Sequence, residues 1–390
     1  MERDGGDLGG QRLAPRSGKT RGNSAKSVVA SPTDVALRLP TYLDDWRDGF
    51  ATKTVGATLF LYFACLAPVV AFGGAMQIAT NGNLGIVETI LSRGVCGMLY
   101  ATFSGQPMTF VGPTGLTLAF TSALYAFCAG ARVPFFPMYA WVGLWTSAIL
   151  VLSALANLSG LIRYCTRFTE DVFNALLAFN YLAEAVRSLR GEFLQGATPA
   201  DGFLTLNIAA LTAWLCQITT SFRSKRYLSP IAREAISDFG PPLAILGITA
   251  ASLTGFAAKL GTLSRLPMPV DVRLGLGRPL FINLLSLPMQ YRLLAVLPAV
   301  FLAILFFLDQ NITVRTVNSP ANKLRKGPAY HLDLMVLGLI TGLVSITGLP
   351  WMCSATVERC ESSSQTHPHR PIHPFCLFFL AQKAGRFLHL

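Results

Sequence analysis

Two places in this sequence combine residue types that could do chemistry. Asp309 sits in AVFLAILFFLDQNIT, an apolar run long enough to cross a bilayer. A carboxylate at that depth costs roughly 2.5–3.5 kcal/mol on insertion scales, which makes it a functional candidate by default. Thr313 follows at i+4, on the same helical face. Carboxylate and hydroxyl are hard oxygen ligands of the kind suited to a cation such as sodium. Asp309 could instead take a proton, or snorkel towards the interface, since Asn318 and a basic loop lie close by.

The second place is the stretch 104–128, SGQPMTFVGPTGLTLAFTSALYAFC, interrupted at its middle by Gly112-Pro113-Thr114-Gly115. Proline removes a backbone donor and the glycines weaken helix locally. The pattern predicts a short extended or unwound segment, then a helix from near Thr114 to about Phe127. Such a break is tolerable at membrane depth only inside protein or beside a watery cavity. The new N-terminus would present free N–H groups and about half a positive charge. Discontinuous transporter helices bind anions this way. A Pro/Gly kink in an ordinary membrane helix would read the same.

The elements around these residues follow from composition. Of 390 residues 52% are hydrophobic and only 13% charged, with mean hydropathy +0.47. A soluble domain carries about 25% charged residues, so the chain reads as an integral membrane protein. Apolar runs at about 55–75 (broken at Pro68), 84–103, 134–157, 172–187, 203–222, 240–259, 293–314 and 332–348 are of spanning length. The broken segment from Gly105 supplies the third span, and Gly348-Leu349-Pro350-Trp351 opens a tenth. Residues 1–38 form a basic tail expected to be disordered, and 358–390 form a divergent tail. Basic residues in the short loops, such as Arg223, Lys225 and Arg226 or Lys323, Arg325 and Lys326, place the N-terminus inside. Arg187 and Arg190 oppose that rule. The net charge of +12 therefore reads as topological, with no case for nucleic acid.

The remaining polar groups read as structural. Eight scattered cysteines without paired spacing read as small hydrophobes. Glu88 and Arg93, five apart, are poorly placed to pair on one helix. Arg163, Arg167, Glu170 and Asp171 read as a solvated helix cap, and His367, His369 and His373 as part of a polar tail.

FLYFACLAPVVAFGG, NLGIVETILS, GQPMTFVGPTG, TRFTEDVF, ISDFG, FFLDQNIT, KLRKGPAYHLDL and GLPW-x3-ATV occur in the order expected of the bicarbonate transporter family. The resemblance covers about residues 40–357. It implies an all-α polytopic membrane protein with a seven-plus-seven inverted-repeat transporter fold, working as a homodimer. The first repeat would span 39–259, an external loop 260–292, and the start of the second repeat 293–357. The family's substrate site lies between half-helices three and ten, against span eight. Carried over by position, Thr114 and Gly115 fall at the third half-helix. Asp309 and Thr313 form the span-eight pair, also the possible sodium ligands, and Cys353, Ser354 and Ala355 lie by the tenth. DQNIT resembles the sodium-coupled bicarbonate members more than the animal exchangers.

The family pattern breaks after Val357, where Glu358 precedes Arg359, about 100° out of place on a helix. The second repeat is therefore expected to be incomplete and the chain, as written, silent in transport. The implied function is secondary transport of bicarbonate by alternating access, with sodium as a possible co-transported ion and no enzymatic activity. The expected location is the plasma membrane, with the N-terminus cytoplasmic. The alternatives are a borate exporter or a non-transporting fragment.

Overall fold

The computed structural model describes residues 52–106, 109–158, 199–222, 227–252, 278–318 and 329–354, with isolated positions outside these ranges. The helices are α1 (Thr52–Ala79), α2 (Ile86–Phe103), α3 (Gly115–Ala131), α4 (Phe135–Leu155), α5 (Pro199–Ser221), α6 (Pro230–Ser252), α7 (Met289–Leu294), α8 (Val296–Val317) and α9 (Tyr330–Thr347). Two two-residue strands interrupt this helical architecture, β1 (Val111–Gly112) and β2 (Cys353–Ser354). Among the described residues five helices are long and apolar enough to cross a membrane: Ile86–Phe103, Phe135–Leu155, Pro199–Thr219, Met289–Arg315 and Tyr330–Thr347.

Most spans fall where hydropathy put them, and the differences have physical causes. Helix α1 continues through Pro68 instead of breaking there. Residues 68–74 are buried, and a proline is tolerated where protein packs around the lost hydrogen bond. Helix α6 begins ten residues before the expected start at 240. Its first turns carry Arg233, Glu234 and Asp238, so helix and apolar stretch do not coincide. The expected fifth span lies outside the described ranges, as do residues 161–167, Glu170, Asp171 and the C-terminal histidines.

The centre of the bundle is the pairing of α4 with α9, made close by small residues. A Cβ at Gly342 would lie 2.8 Å from Ser147 Oγ, and one at Gly338 would lie 3.0 Å from Val151 Cγ2. Helix contacts of this small-xxx-small kind let backbones approach where no hydrophobic drive separates helix from lipid. Helix α8 packs on α4 through a stripe that includes Ala299, Leu302, Ala303 and Phe306, while Leu297, Phe301 and Ile304 face outward. The stripe keeps the helical period and continues through Asp309, Gln310 and Thr313, all buried. Asp309 therefore lies on the inward face of its helix.

The expected 260–292 loop is partly described. Its Arg278 guanidinium donates to the carbonyls of Thr347 (3.1 Å) and Gly348 (2.8 Å) and lies 4.4 Å over the Phe136 ring. It thereby caps the C-terminus of α9, where the helix dipole favours a cation. Burial lowers the pKa of Arg278, and Glu88 and Tyr139 act in the opposite direction.

Candidate functional site

The Gly-Pro-Thr-Gly break builds what its residues dictate. Val111 and Gly112 are extended, Thr114 is the N-cap with φ −119° and ψ 158°, and α3 begins at Gly115. The cap is reciprocal: Thr117 N–H donates to Thr114 Oγ1 (3.3 Å), and Thr114 N–H donates to Thr117 Oγ1 (3.1 Å). Thr117 Oγ1–H in turn donates to the Thr114 carbonyl (2.8 Å). This lock closes the first turn, whose leading N–H groups have no partner within the helix. Helix α3 ends four residues beyond the expected Phe127.

A second extended segment meets this break. Strand β2 runs antiparallel to β1, with Val111 opposite Ser354 and Gly112 opposite Cys353. The segment reaches that point under tight control. Ser92 Oγ donates to the Pro350 carbonyl (2.6 Å) and Tyr139 Oη to the Leu349 carbonyl (3.2 Å). Trp351 N–H donates to Tyr139 Oη (3.1 Å), and its indole N–H donates to Ser345 Oγ (2.9 Å). The Trp351 and Tyr139 rings stack at 3.7 Å and 10°. Helices α2, α4 and α9 thus each grip the chain as it enters β2.

Of the residues singled out by sequence, Thr114, Gly115, Asp309, Thr313, Cys353 and Ser354 are all buried. Ala355 lies outside the described residues. Strand β2 packs against α8, beside Asp309, and Cys353 pairs with Gly112. Asp309, the start of the tenth segment and the Gly-Pro-Thr-Gly break therefore converge on one point. Thr313 lies one turn further along the same buried stripe. An extended backbone crossing, a buried carboxylate and the opening of a helix together make a site that can hold a small ion and its counter-ion. Among the described residues the cysteines form no disulfide. Glu88 Oε2 accepts from Gly85 N–H (3.0 Å), while Arg93 donates to Cys65 Sγ (3.2 Å), so these two serve structure separately.

Several site neighbours escaped sequence reasoning. Gln310 Nε2 donates to Tyr100 Oη (2.6 Å), and its Oε1 accepts from Ser354 Oγ. Just past the C-terminal end of α8, Gln106 N–H donates to Asp333 Oδ1 (2.9 Å) and Gln106 Nε2 donates to Asn318 Oδ1 (2.9 Å). The available signals were the polar pair Gln310-Asn311 directly after Asp309, and a second carboxylate, Asp333, in the apolar run of α9.

A helical bundle with spanning helices and two crossed, unwound segments defines an integral membrane protein of the inverted-repeat transporter class. The solved transmembrane domain of a cyanobacterium bicarbonate transporter, BicA, is similar in fold at TM-score 0.60 and 14% identity, covering 87% of this chain and 89% of that one. SLC26A9 is similar at TM-score 0.52 and 14% identity, over 97% of this chain and 64% of that one. The family model of the HCO3- transporter integral membrane domain matches residues 31–198 and 189–367, and the chain belongs to this family. Among curated relatives, sodium bicarbonate cotransporter 3 of Homo sapiens is 29% identical over 83% of this chain and 32% of its own length. Band 3 anion transport protein of Gallus gallus is 29% identical over 90% of this chain and 40% of its own. Anion exchange protein 3 of Pongo abelii is 30% identical over 90% and 32%. The chain thus spans about a third of the length of the relatives it matches.

Proposed function

We propose that the chain carries the ion site of a bicarbonate transporter that works by alternating access, with sodium as the coupled ion. The observation that carries the proposal is the antiparallel crossing of Gly112 and Cys353 beside the Asp309 carboxylate. The anion would rest at the start of α3, against the N–H groups after Thr114 and Gly115, with Cys353, Ser354 and Ala355 on the other side. Asp309 and Thr313 would hold sodium. Electrostatics supports such coupling: two like unit charges about 5 Å apart repel by about 3 kcal/mol at an effective dielectric of about 20. An anion beside an uncompensated Asp309 would bind about 100-fold more weakly than beside a neutralised one. Membership in an anion transporter family and the name of the sodium bicarbonate relative support this reading.

In the same proposal the protein is a homodimer in the plasma membrane with a cytoplasmic N-terminus. Residues 39–259 form the first repeat, 260–292 an external loop and 293–357 the start of the second. The experiment is recovery of internal pH in acid-loaded cells, with boron content measured in parallel. The chain is expressed as written and also with residues 1–357 joined to the C-terminal spans of the Homo sapiens relative. Sodium-dependent recovery in bicarbonate buffer, with boron unchanged, is the expected result for the joined form. Boron efflux without a bicarbonate-dependent pH change would make the protein a borate exporter instead.

A further inference from the structure

Gln310 is buried, and both ends of its side chain are occupied. Its amide donates to Tyr100 on α2 and accepts from Ser354 in β2. The resulting chain, Tyr100–Gln310–Ser354, ties β2 to α8 and, through α8, to α2. It joins residues more than 200 positions apart in sequence. The amide meets the ring hydroxyl with a donor and the serine with an acceptor. A carboxylate in its place loses the donor, and a leucine loses both.

We infer that Gln310 is a positioning residue for the proposed ion site: it tethers the extended segment β2 to α8 and α2 and so keeps Cys353 in place beside Asp309. The geometry is specific. Ser354 is opposite Val111, and Cys353 is opposite Gly112. Fixing Ser354 to Gln310 therefore fixes its neighbour Cys353 beside Asp309, the residue preceding Gln310. Released from the tether, β2 can slip along β1, and a slip of one residue exchanges the faces of every side chain it carries. The carboxylate would then face a different residue, and both the ion and the anion would lose their seat together. This inference rests on the ion-site reading for its functional consequence, but not for the tether itself.

Cys353 reports on the tether without any need for transport. The purified full chain is treated with N-ethylmaleimide, and the alkylation rate of each cysteine is followed by peptide mass spectrometry. Gln310→Leu and the milder Tyr100→Phe should each speed alkylation of Cys353, by about 5- to 10-fold for loss of one or two buried hydrogen bonds. Cys128 and Cys216, buried elsewhere, should keep their rates. An unchanged Cys353 rate in either variant overturns the tether. So does equal acceleration at all three cysteines in both variants, which would make the chain of hydrogen bonds a general packing element. In the joined form, Gln310→Leu should raise the KM for bicarbonate more than it lowers turnover. Absence of transport in the parent protein, with Cys353 labelling as expected, would remove the ion-site reading and leave the tether standing.

Discussion

Gly143 is the position where one methyl group should do most damage. It lies at the α4–α9 contact, and an added Cβ would collide with Ser345 Oγ and come within 2.6 Å of Trp351 Nε1. Ser345 cannot retreat freely, because its hydroxyl donates to the Thr341 carbonyl and accepts the Trp351 indole. Trp351 is equally confined, stacked on Tyr139 and fully buried. Overpacking of this kind costs about 1–3 kcal/mol. If the indole N–H is forced off Ser345 and left without a partner, a further 1–3 kcal/mol follows. Gly143→Ala should therefore destabilise the fold by about 2–6 kcal/mol. At about 2 °C per kcal/mol the loss of Tm is about 4–12 °C. The assay is thermal unfolding in detergent, followed by tryptophan fluorescence. Gly130→Ala is the control, since a Cβ there meets nothing within 4 Å. A Tm for Gly143→Ala within about 1 °C of the parent would show that α9 can move aside, and would refute the packing argument.

Two other substitutions probe the segments that lead into the crossing. Asp333→Leu strands the Gln106 N–H, so it should lower stability by about 1–3 kcal/mol, whereas Asp333→Asn keeps an acceptor and should lose less. Equal losses in thermal unfolding would mean that the Gln106 contact contributes nothing. Arg278→Leu uncaps Thr347 and Gly348, and hydrogen exchange at the amides of Gly348 and Leu349 should quicken by about 10-fold or more. Arg278→Lys should restore only part of that protection, because a lysine lacks the rigid planar fork with which the guanidinium meets both carbonyls. Unchanged exchange in Arg278→Leu would release the loop from any role in holding the end of α9.

The parts of this site that were legible in the sequence are those that are locally expensive. A carboxylate in an apolar run and a Gly-Pro-Thr-Gly break in a membrane segment each carry a penalty that neighbouring residues alone make visible. Asp309 and the start of α3 were therefore found from their own surroundings, and the cap at Thr114 fell within one residue of the expected helix start. Cys353 and Ser354 came only from the resemblance to the family, because nothing in WMCSAT costs much locally. The tether through Gln310 was invisible for a different reason. Its partners, Tyr100 and Ser354, are distant in sequence, and a hydroxyl on an apolar helix is inexpensive when considered alone. The start of α6 was missed because hydropathy detects the apolar part of a helix, not its hydrogen bonds, and Arg233, Glu234 and Asp238 dilute the first turns. Pro68 misled in the opposite direction: its cost is local, but packing around α1 absorbs it.

The most direct measurement is sodium-dependent bicarbonate uptake by Asp309→Asn in the joined form, compared with its parent at matched surface expression. The substitution keeps the volume and hydrogen-bonding shape of the side chain and removes only its charge. With no carboxylate to hold the cation, sodium should no longer accelerate uptake at all, while the protein still folds and reaches the surface. Retention of the parent's sodium dependence would take Asp309 out of the ion site, and the convergence of Asp309, Cys353 and Gly112 would then be structural only.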